Sequence, residues 1–249
     1  MEKLPRLVWL VGASSGIGKA LAMQMANAGW QVAISARRLE PLQAMQAQFP
    51  ALYPYTLDVT DAGAVQQVFA TICSQHGVPD ICLFNAGDYE PMPVEAFDLE
   101  LFRKLTAVNY LGMVNGLNAV LPLMLERGRG QILLTASLSA YRGLPRAAPY
   151  SASKAAVLNL AEALHPELKI KGILLRVINP GFVRSALTDK NPFAMPFLMD
   201  AEEAAAVIMR ELDGSHFEIT FPKRFALLMK LLRLLPYRWY FWITRRMVT

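Results

Sequence analysis

Apolar residues along the chain come in short unbroken runs, separated by longer stretches with helical spacing. Leu7 to Val11 is the first such run, and "GASSGIG" follows it at once. "KALAMQMANAGW" then places its apolar residues at helical intervals and stops at Gly29. "QVAIS" reads as a strand, "RRLEPLQAMQAQF" as a helix, and "LYPYTLDVT" as a strand ending at Asp58. "DAGAVQQVFATICSQHG" reads as a helix and "DICLFNAG" as a buried strand. A long helical stretch from about Leu99 to Glu126 leads into the strand "GQILLTAS". A helix holding "YSASK" (Tyr150 to Lys154) and the strand "ILLRVINPG" follow.

Strands apolar on both faces, alternating with helices, predict an α/β fold. The expected architecture is one Rossmann-like, doubly wound parallel sheet with helices on both faces. Its crossovers should be right-handed. Ligands of such sheets bind beyond the carboxyl ends of the strands, so the residues just after each strand are the ones to examine. The 249 residues are 54% hydrophobic and 18% charged, which suits one packed domain and argues against disorder. No linker, repeat or low-complexity tract divides the chain. Residues 1–222 read as one catalytic domain and 223–249 as its tail.

Charge changes that picture at one end only. The net charge is +5, yet from Lys223 onward there are seven basic residues and no acidic one. The rest of the chain carries 18 basic against 20 acidic residues, which argues against a nucleic-acid-binding domain. Cys73 and Cys82 have no metal or redox spacing, and His76, His165 and His216 are scattered, so no metal site is expected. The opening "MEKLPRLVWLVG" has too short an apolar run for a signal peptide, and a reducing, cytoplasmic setting is expected.

The chemistry begins after the first strand. Gly12, Gly16 and Gly18 let the backbone turn tightly and approach a pyrophosphate. The helix starting near Gly16 and Ile17 offers free N–H groups and its positive end, and Ser14 and Ser15 add hydroxyls. A plain strand-to-helix turn would need a glycine at only one of these places. After the second strand, "SARRLE" carries Arg37 and Arg38 where NAD-binding folds often carry an acid. An arginine can grip a 2′-phosphate with two charge-assisted hydrogen bonds, which points to NADP(H). The alternative is that both arginines only solvate the next helix.

With these residues in view, the chain resembles the short-chain dehydrogenase/reductase family, of the single-domain type with a Tyr-x-x-x-Lys motif. The resemblance spans about Leu7 to Phe221 and rests on "GASSGIG", "LDVT", "NAG", "VNYLG", Ser137, "YSASK" and "NPGFVRS" in order. It implies that Asp58 hydrogen-bonds the adenine amino group, with Val59 beside the ring. It implies that Asn85, Ala86 and Gly87 line the ribose, and that Pro180, Gly181, Val183 and Ser185 contact the nicotinamide side. Asn109, Ser137, Tyr150 and Lys154 would form the catalytic group, with Lys154 also on the nicotinamide ribose and Asn109 holding a water. A homo-oligomer, dimer or tetramer, is implied as well.

Elementary chemistry agrees with that division. A free Tyr titrates near 10, and an ammonium one helical turn away should favour its phenolate. Thr135, Ser137 and Ser139 share one parity along their strand and its exit, so spacing alone does not choose the hydroxyl that polarises a substrate oxygen. The resemblance selects Ser137. Against the family pattern, Val11 stands where Thr is common, Phe84 replaces the first Asn of "NNAG", and Ser185 replaces Thr. His165-Pro166 should kink or break the catalytic helix.

The stretch of about 185–200 is expected to be a substrate lid. Phe193, Met195, Phe197, Leu198 and Met199 make it apolar, which suits an apolar or lipid-like carbonyl or alcohol substrate. Arg142, Arg146 and Arg184 are candidates for a substrate carboxylate, or are simply solvated. In the tail, Lys223, Lys230 and Arg233 fall on one side of a helix and Leu228, Leu231, Leu232 and Leu235 on the other, with an aromatic run after Pro236. Charges break every window long enough to span a bilayer. A basic amphipathic segment of this kind fits peripheral contact with a membrane surface, a dimer contact, or a flap over the pocket. The expected activity is an NADP(H)-dependent oxidoreductase. The alternatives are a non-catalytic NADP-binding sensor on the same fold, or a membrane-associated interaction protein.

Overall fold

The computed structural model describes residues 6–190 and 195–248. Seven strands form one fully parallel sheet in the order β3-β2-β1-β4-β5-β6-β7. They are β1 (Leu7–Val11), β2 (Gln31–Ala36), β3 (Leu52–Thr56), β4 (Ile81–Phe84), β5 (Gly130–Thr135), β6 (Ile173–Pro180) and β7 (Glu218–Phe221). The order reverses between β1 and β4, so the two strands diverge in their onward connections and leave a crevice at their carboxyl ends.

The helices on the two faces bury alternate strand residues. Trp9 and Val11 join the core that lies against α3 (Ala62–His76), α5 (Gly112–Arg127) and α6 (Ala148–Ile170). Val8 and Leu10 join the other, against α1 (Gly16–Asn27), α2 (Glu40–Gln48) and α7 (Ala201–Glu211). This explains the unbroken apolar runs, since both faces of the central strands are covered. The edge strand β3 departs from that pattern: only Leu52 of its five residues is buried. Pro54 is tolerated there because an edge strand has a free side.

Two further points correct the sequence reading. The pattern gave no strand at Glu218–Phe221 and no helix at Ala201–Glu211, yet both are present. His165-Pro166 does not end the helix that holds Tyr150 and Lys154, which runs unbroken over 23 residues. Pro166 and Glu162, four residues before it, are both exposed, so the carbonyl left without a partner faces water.

The long helix expected from Leu99 is α4 (Leu99–Thr106) continuing through a π-helical turn (Ala107–Leu111) into α5. It is the one helix among the described residues long and apolar enough to cross a bilayer, and it is a core helix, with Met113, Leu117 and Val120 buried against the sheet. The chain closes with α8 (Lys223–Leu234) and α9 (Tyr237–Arg245), separated at Pro236.

Candidate active site

The loop after β1 is held at a close approach to the loop after β4. Gly12 has φ 89°, and a Cβ there would lie 2.4 Å from the Ala86 nitrogen. Only glycine fits, both for its backbone and for its space. Asn85 donates from Nδ2 to the Gly12 carbonyl at 3.1 Å and receives a hydrogen bond from Thr135 Oγ1. Asn85 therefore ties β1, β4 and β5 together at their carboxyl ends. Helix α1 opens behind this crevice with Ser15 at its N-cap and no side-chain capping bond. No acidic residue stands in its first turn, so its leading N–H groups are free for an anion. Ser14, Gly16 and Ile17 are half-buried around that end, while Gly18 is buried.

On the β2 side, Asp58 Oδ1 accepts from the Thr60 backbone and hydroxyl at 2.9 and 2.7 Å. Those bonds, chiefly, hold its carboxyl below the usual range, and the nearby Arg37 guanidinium adds to this. Arg37 and Arg38 are exposed, and neither forms an ion pair among the described residues. Buried Val59 follows, its carbonyl fixed by Asn115 Nδ2 at 2.9 Å. Asn115 went unremarked in the sequence because an Asn inside a helix has no spacing signature.

The catalytic candidates meet at the ends of β4 and β5. The Ser137 hydroxyl is hydrogen-bonded to the Tyr150 phenol. Ser139 donates to Ser137 Oγ from both its hydroxyl (3.0 Å) and its backbone N–H (3.1 Å). Ser137 thus has its acceptor capacity filled from behind and its own proton directed forward. Thr135 is turned away to Asn85, and its carbonyl accepts from Lys154 Nζ at 2.8 Å. The three hydroxyls of equal parity therefore have different places: Ser137 beside the phenol, Ser139 behind it, and Thr135 at the end of β5 turned toward Asn85.

Lys154 is buried, with 3% of its surface exposed, and no carboxylate pairs with it among the described residues. Burial pulls its ammonium down to about 7. Its Nζ lies 5.9 Å from the Tyr150 ring centroid. Burial also pushes the Tyr150 phenol up to about 12, opposed by the Ser137 hydrogen bond and assisted by Tyr89. The sequence leads one to expect a phenol lowered by the neighbouring ammonium; here burial dominates and raises it. Asn109 sits in the π-helical turn, fully buried. Its Oδ1 accepts from the Asp88 N–H, and its Nδ2 donates to the Asp88 carbonyl and to Ser153 Oγ. Ser153 in turn donates to the Tyr150 carbonyl. Lys154 Nζ and Asn109 Oδ1 each lie 3.3 Å from where Gly87 would carry a Cβ, so Gly87 keeps that corner open.

A family model described as short chain dehydrogenase matches residues 6–194. The chain belongs to that family. It is 36% identical over 235 residues to an uncharacterized oxidoreductase of Myxococcus xanthus, covering 93% of each chain. It is 32% identical over 188 residues to the 2-dehydro-3-deoxy-L-rhamnonate dehydrogenase (NAD(+)) of Sphingomonas, covering 75% of this chain and 76% of that one. The crystal structure of a short-chain dehydrogenase from Streptomyces avermitilis superposes with a TM-score of 0.84 at 26% identity, over 98% of each chain. The family makes this chain an oxidoreductase with a nicotinamide nucleotide as cofactor.

The remaining edge of the dehydrogenase site is apolar. After Pro180, the Gly181 N–H donates to the Phe221 carbonyl at 2.7 Å, and Val183 pairs with Met199 in an isolated bridge. Ser185 caps a short turn closed by Thr188. Phe182, Phe225 and Phe197 stack in succession, with centroids 5.6 and 6.0 Å apart. Phe193 lies outside the described residues. Tyr89 meets the Tyr150 ring edge-on at 5.0 Å, a neighbour that nothing in the sequence pattern singled out.

The arginines considered for a substrate carboxylate have other work. Arg142 donates to the Leu232, Arg233 and Leu235 carbonyls at the end of α8. Arg184 pairs with Asp200. Arg146 is exposed, and its carbonyl accepts from Met92.

The residues present fit a dinucleotide. A crevice only glycine permits leads to an uncapped helix end, and buried Lys154, held by the Thr135 carbonyl, stands beside it.

Proposed function

We propose that this chain is an NADP(H)-dependent oxidoreductase that interconverts a carbonyl and a secondary alcohol on an apolar substrate, with Tyr150 as the acid–base group. The observation that carries the reading is the run of hydroxyls from Ser139 through Ser137 to Tyr150, ending beside buried Lys154.

NADPH, when bound, supplies the hydride. The α1 N-terminus and the Gly12–Gly18 loop would hold its pyrophosphate. Asp58 has one carboxylate oxygen engaged by Thr60, and the other, without a hydrogen bond among the described residues, would take an amino group. Arg37 and Arg38 would take the 2′-phosphate, and their exposure, with no ion pair to either among the described residues, supports that. Lys154 would donate to ribose hydroxyls. Ser137 directs its proton toward the position of a substrate oxygen and stabilises charge developing there. Tyr150, kept protonated by burial, gives up a proton to that oxygen in reduction. Ser153 and Asn109 fix the backbone of the helix that presents Tyr150.

An apolar substrate is supported by the Phe182–Phe225–Phe197 stack and by the engagement of the nearby cations elsewhere. Lys104 and Lys190 pair with Asp88, and Lys190 also pairs with Glu90.

The test is a carbonyl screen with NADPH and NADH. Turnover should be higher with NADPH, and Tyr150→Phe should lower kcat by roughly 10²–10⁴-fold. Unchanged turnover in Tyr150→Phe would sink the mechanism. Faster turnover with NADH would sink the role of Arg37 and Arg38.

A further inference from the structure

Helix α8 is apolar on two opposite faces, and the fold uses one of them. Phe225, Ala226 and Met229 are buried, and Leu232 is half-buried, against the core around Leu138 and Tyr141. Leu227, Leu228, Leu231 and Leu234 form a stripe on the far side and are 47–78% exposed. The sequence pattern drew this helix with one apolar face, and the structure divides those leucines: Leu228 and Leu231 point outward, Leu232 and Leu235 are partly covered. In α9, Tyr240 and Thr244 are buried, while Trp239, Phe241 and Trp242 face out. Ten of the eighteen exposed large hydrophobic side chains among the described residues lie in this last segment. Monomer surfaces do not normally concentrate apolar groups in this way without something to cover them.

The face is held rigidly. Tyr240 donates to the Gly143 carbonyl, and the Arg142 guanidinium lies 4.0 Å from the Tyr240 ring while capping α8. Lys230 pairs with Glu218, which also accepts from Tyr141 and Asn179. The exposed side chains therefore form a fixed surface.

Its charge states what covers it. The segment has seven basic residues and no acidic one. Of these, Lys230 alone has a carboxylate partner among the described residues. A second copy meeting the same patch would bring cations against cations. Tryptophan, tyrosine and arginine around a leucine stripe match the chemistry of a bilayer interface with anionic headgroups. Arg246, 3.7 Å from the Trp242 ring centroid, joins both kinds of group in one contact. Helices of 12 and 9 residues are too short to span, so they lie in the interface plane.

We propose that the outer face of α8 and α9 is a docking surface for an anionic lipid bilayer. It rests on this face alone and stands whether or not the oxidoreductase reading holds.

Vesicle flotation of the full chain tests it, with phosphatidylcholine vesicles against vesicles containing about a third phosphatidylglycerol. The protein should float with the anionic vesicles at least tenfold more than with the neutral ones. About 0.5 M salt should weaken the binding several-fold, because surface charge is screened. Leu231→Glu with Trp242→Glu, and separately Arg245→Glu with Arg246→Glu, should each remove flotation, with circular dichroism unchanged. No flotation, or equal flotation on both vesicles, overturns the proposal. So does retained flotation in both variants. Sedimentation velocity showing a dimer that Leu231→Glu dissolves, without vesicle binding, overturns it in favour of a second copy.

Discussion

At the scale of single residues, the site is a contest between burial and charge. Lys154 is a base whose ammonium is pulled from 10.5 to about 7. The folded chain must charge a buried amine below about 7, and that cost fades as pH rises toward 10.5. From the gap between those values the cost reaches up to about 5 kcal/mol at neutral pH. Losing the bond to Thr135 would return about 1 kcal/mol of it. Lys154→Met should therefore raise the Tm of cofactor-free protein at pH 7 by roughly 4–10 °C while removing activity. The gap from the wild type should close between pH 7 and 10; a gap independent of pH would contradict the assignment. Tyr150, pushed up to about 12, is a proton donor across the ordinary pH range. On the proposed mechanism, alcohol oxidation would need its phenolate, whose fraction rises about tenfold per pH unit below that value. The kcat/KM for oxidation should climb through pH 10, and a plateau near pH 8 would contradict this. "YSASK" made the phenol and the ammonium visible as neighbours. It could not show the direction of their shifts, because burial comes from β4, β5 and Tyr89, far away in the chain.

At the scale of elements, the substitution of Phe84 in "FNAG" has a physical partner. Phe84 ends β4, meets Trp9 edge-on at 5.6 Å, and lies under α5. A Cβ on Gly116 of α5 would fall 2.2 Å from the Phe84 ring. The bulky ring is thus accommodated by a helix residue with no side chain, and the helix pays its propensity cost there. Gly116→Ala should destabilise the protein by about 1–3 kcal/mol through overpacking. Phe84→Leu in the same chain should recover part of that loss, and strict additivity in a thermal or urea double-mutant cycle would refute the coupling. The pairing is 32 positions apart in sequence and no periodicity links the two. Strand and helix existence was legible from local pattern, down to the doubly covered β1. What stayed hidden was β7, only four residues long, with Ile219 and Phe221 buried, Glu218 and Thr220 half-buried, and a polar cluster at Glu218. A Pro inside α6 was also misleading, because its cost depends on whether the freed carbonyl meets water.

At the scale of the whole molecule, the end of the chain belongs to the core as well as to the surface. Phe225, Ala226 and Met229 sit in the same cluster as Leu138, Tyr141 and Val157, and Arg142 is bound to three carbonyls of α8 and its exit. That loop runs between Ser137 and Tyr150, so α8 and α9 brace the segment joining the proposed polarising hydroxyl to the proposed acid. The inner and outer faces should then separate by experiment. Ending the chain before Lys223 uncovers Phe221, Leu138 and Tyr141 and frees the Glu218 cluster. Burial of Phe225, Met229 and Tyr240 alone corresponds to about 5 kcal/mol or more. The truncated chain should lose 10 °C or more of Tm and most of its carbonyl reduction. Leu227→Gln and Leu234→Gln touch only exposed side chains and should leave both within error. A truncated chain as stable and active as the whole would show that the helices do not brace the loop. The basic charge of the tail was evident in the sequence, but its two-sidedness was not. A helix apolar on both flanks reads the same whether one face, both or neither is covered, and only the position of the sheet beneath it decides.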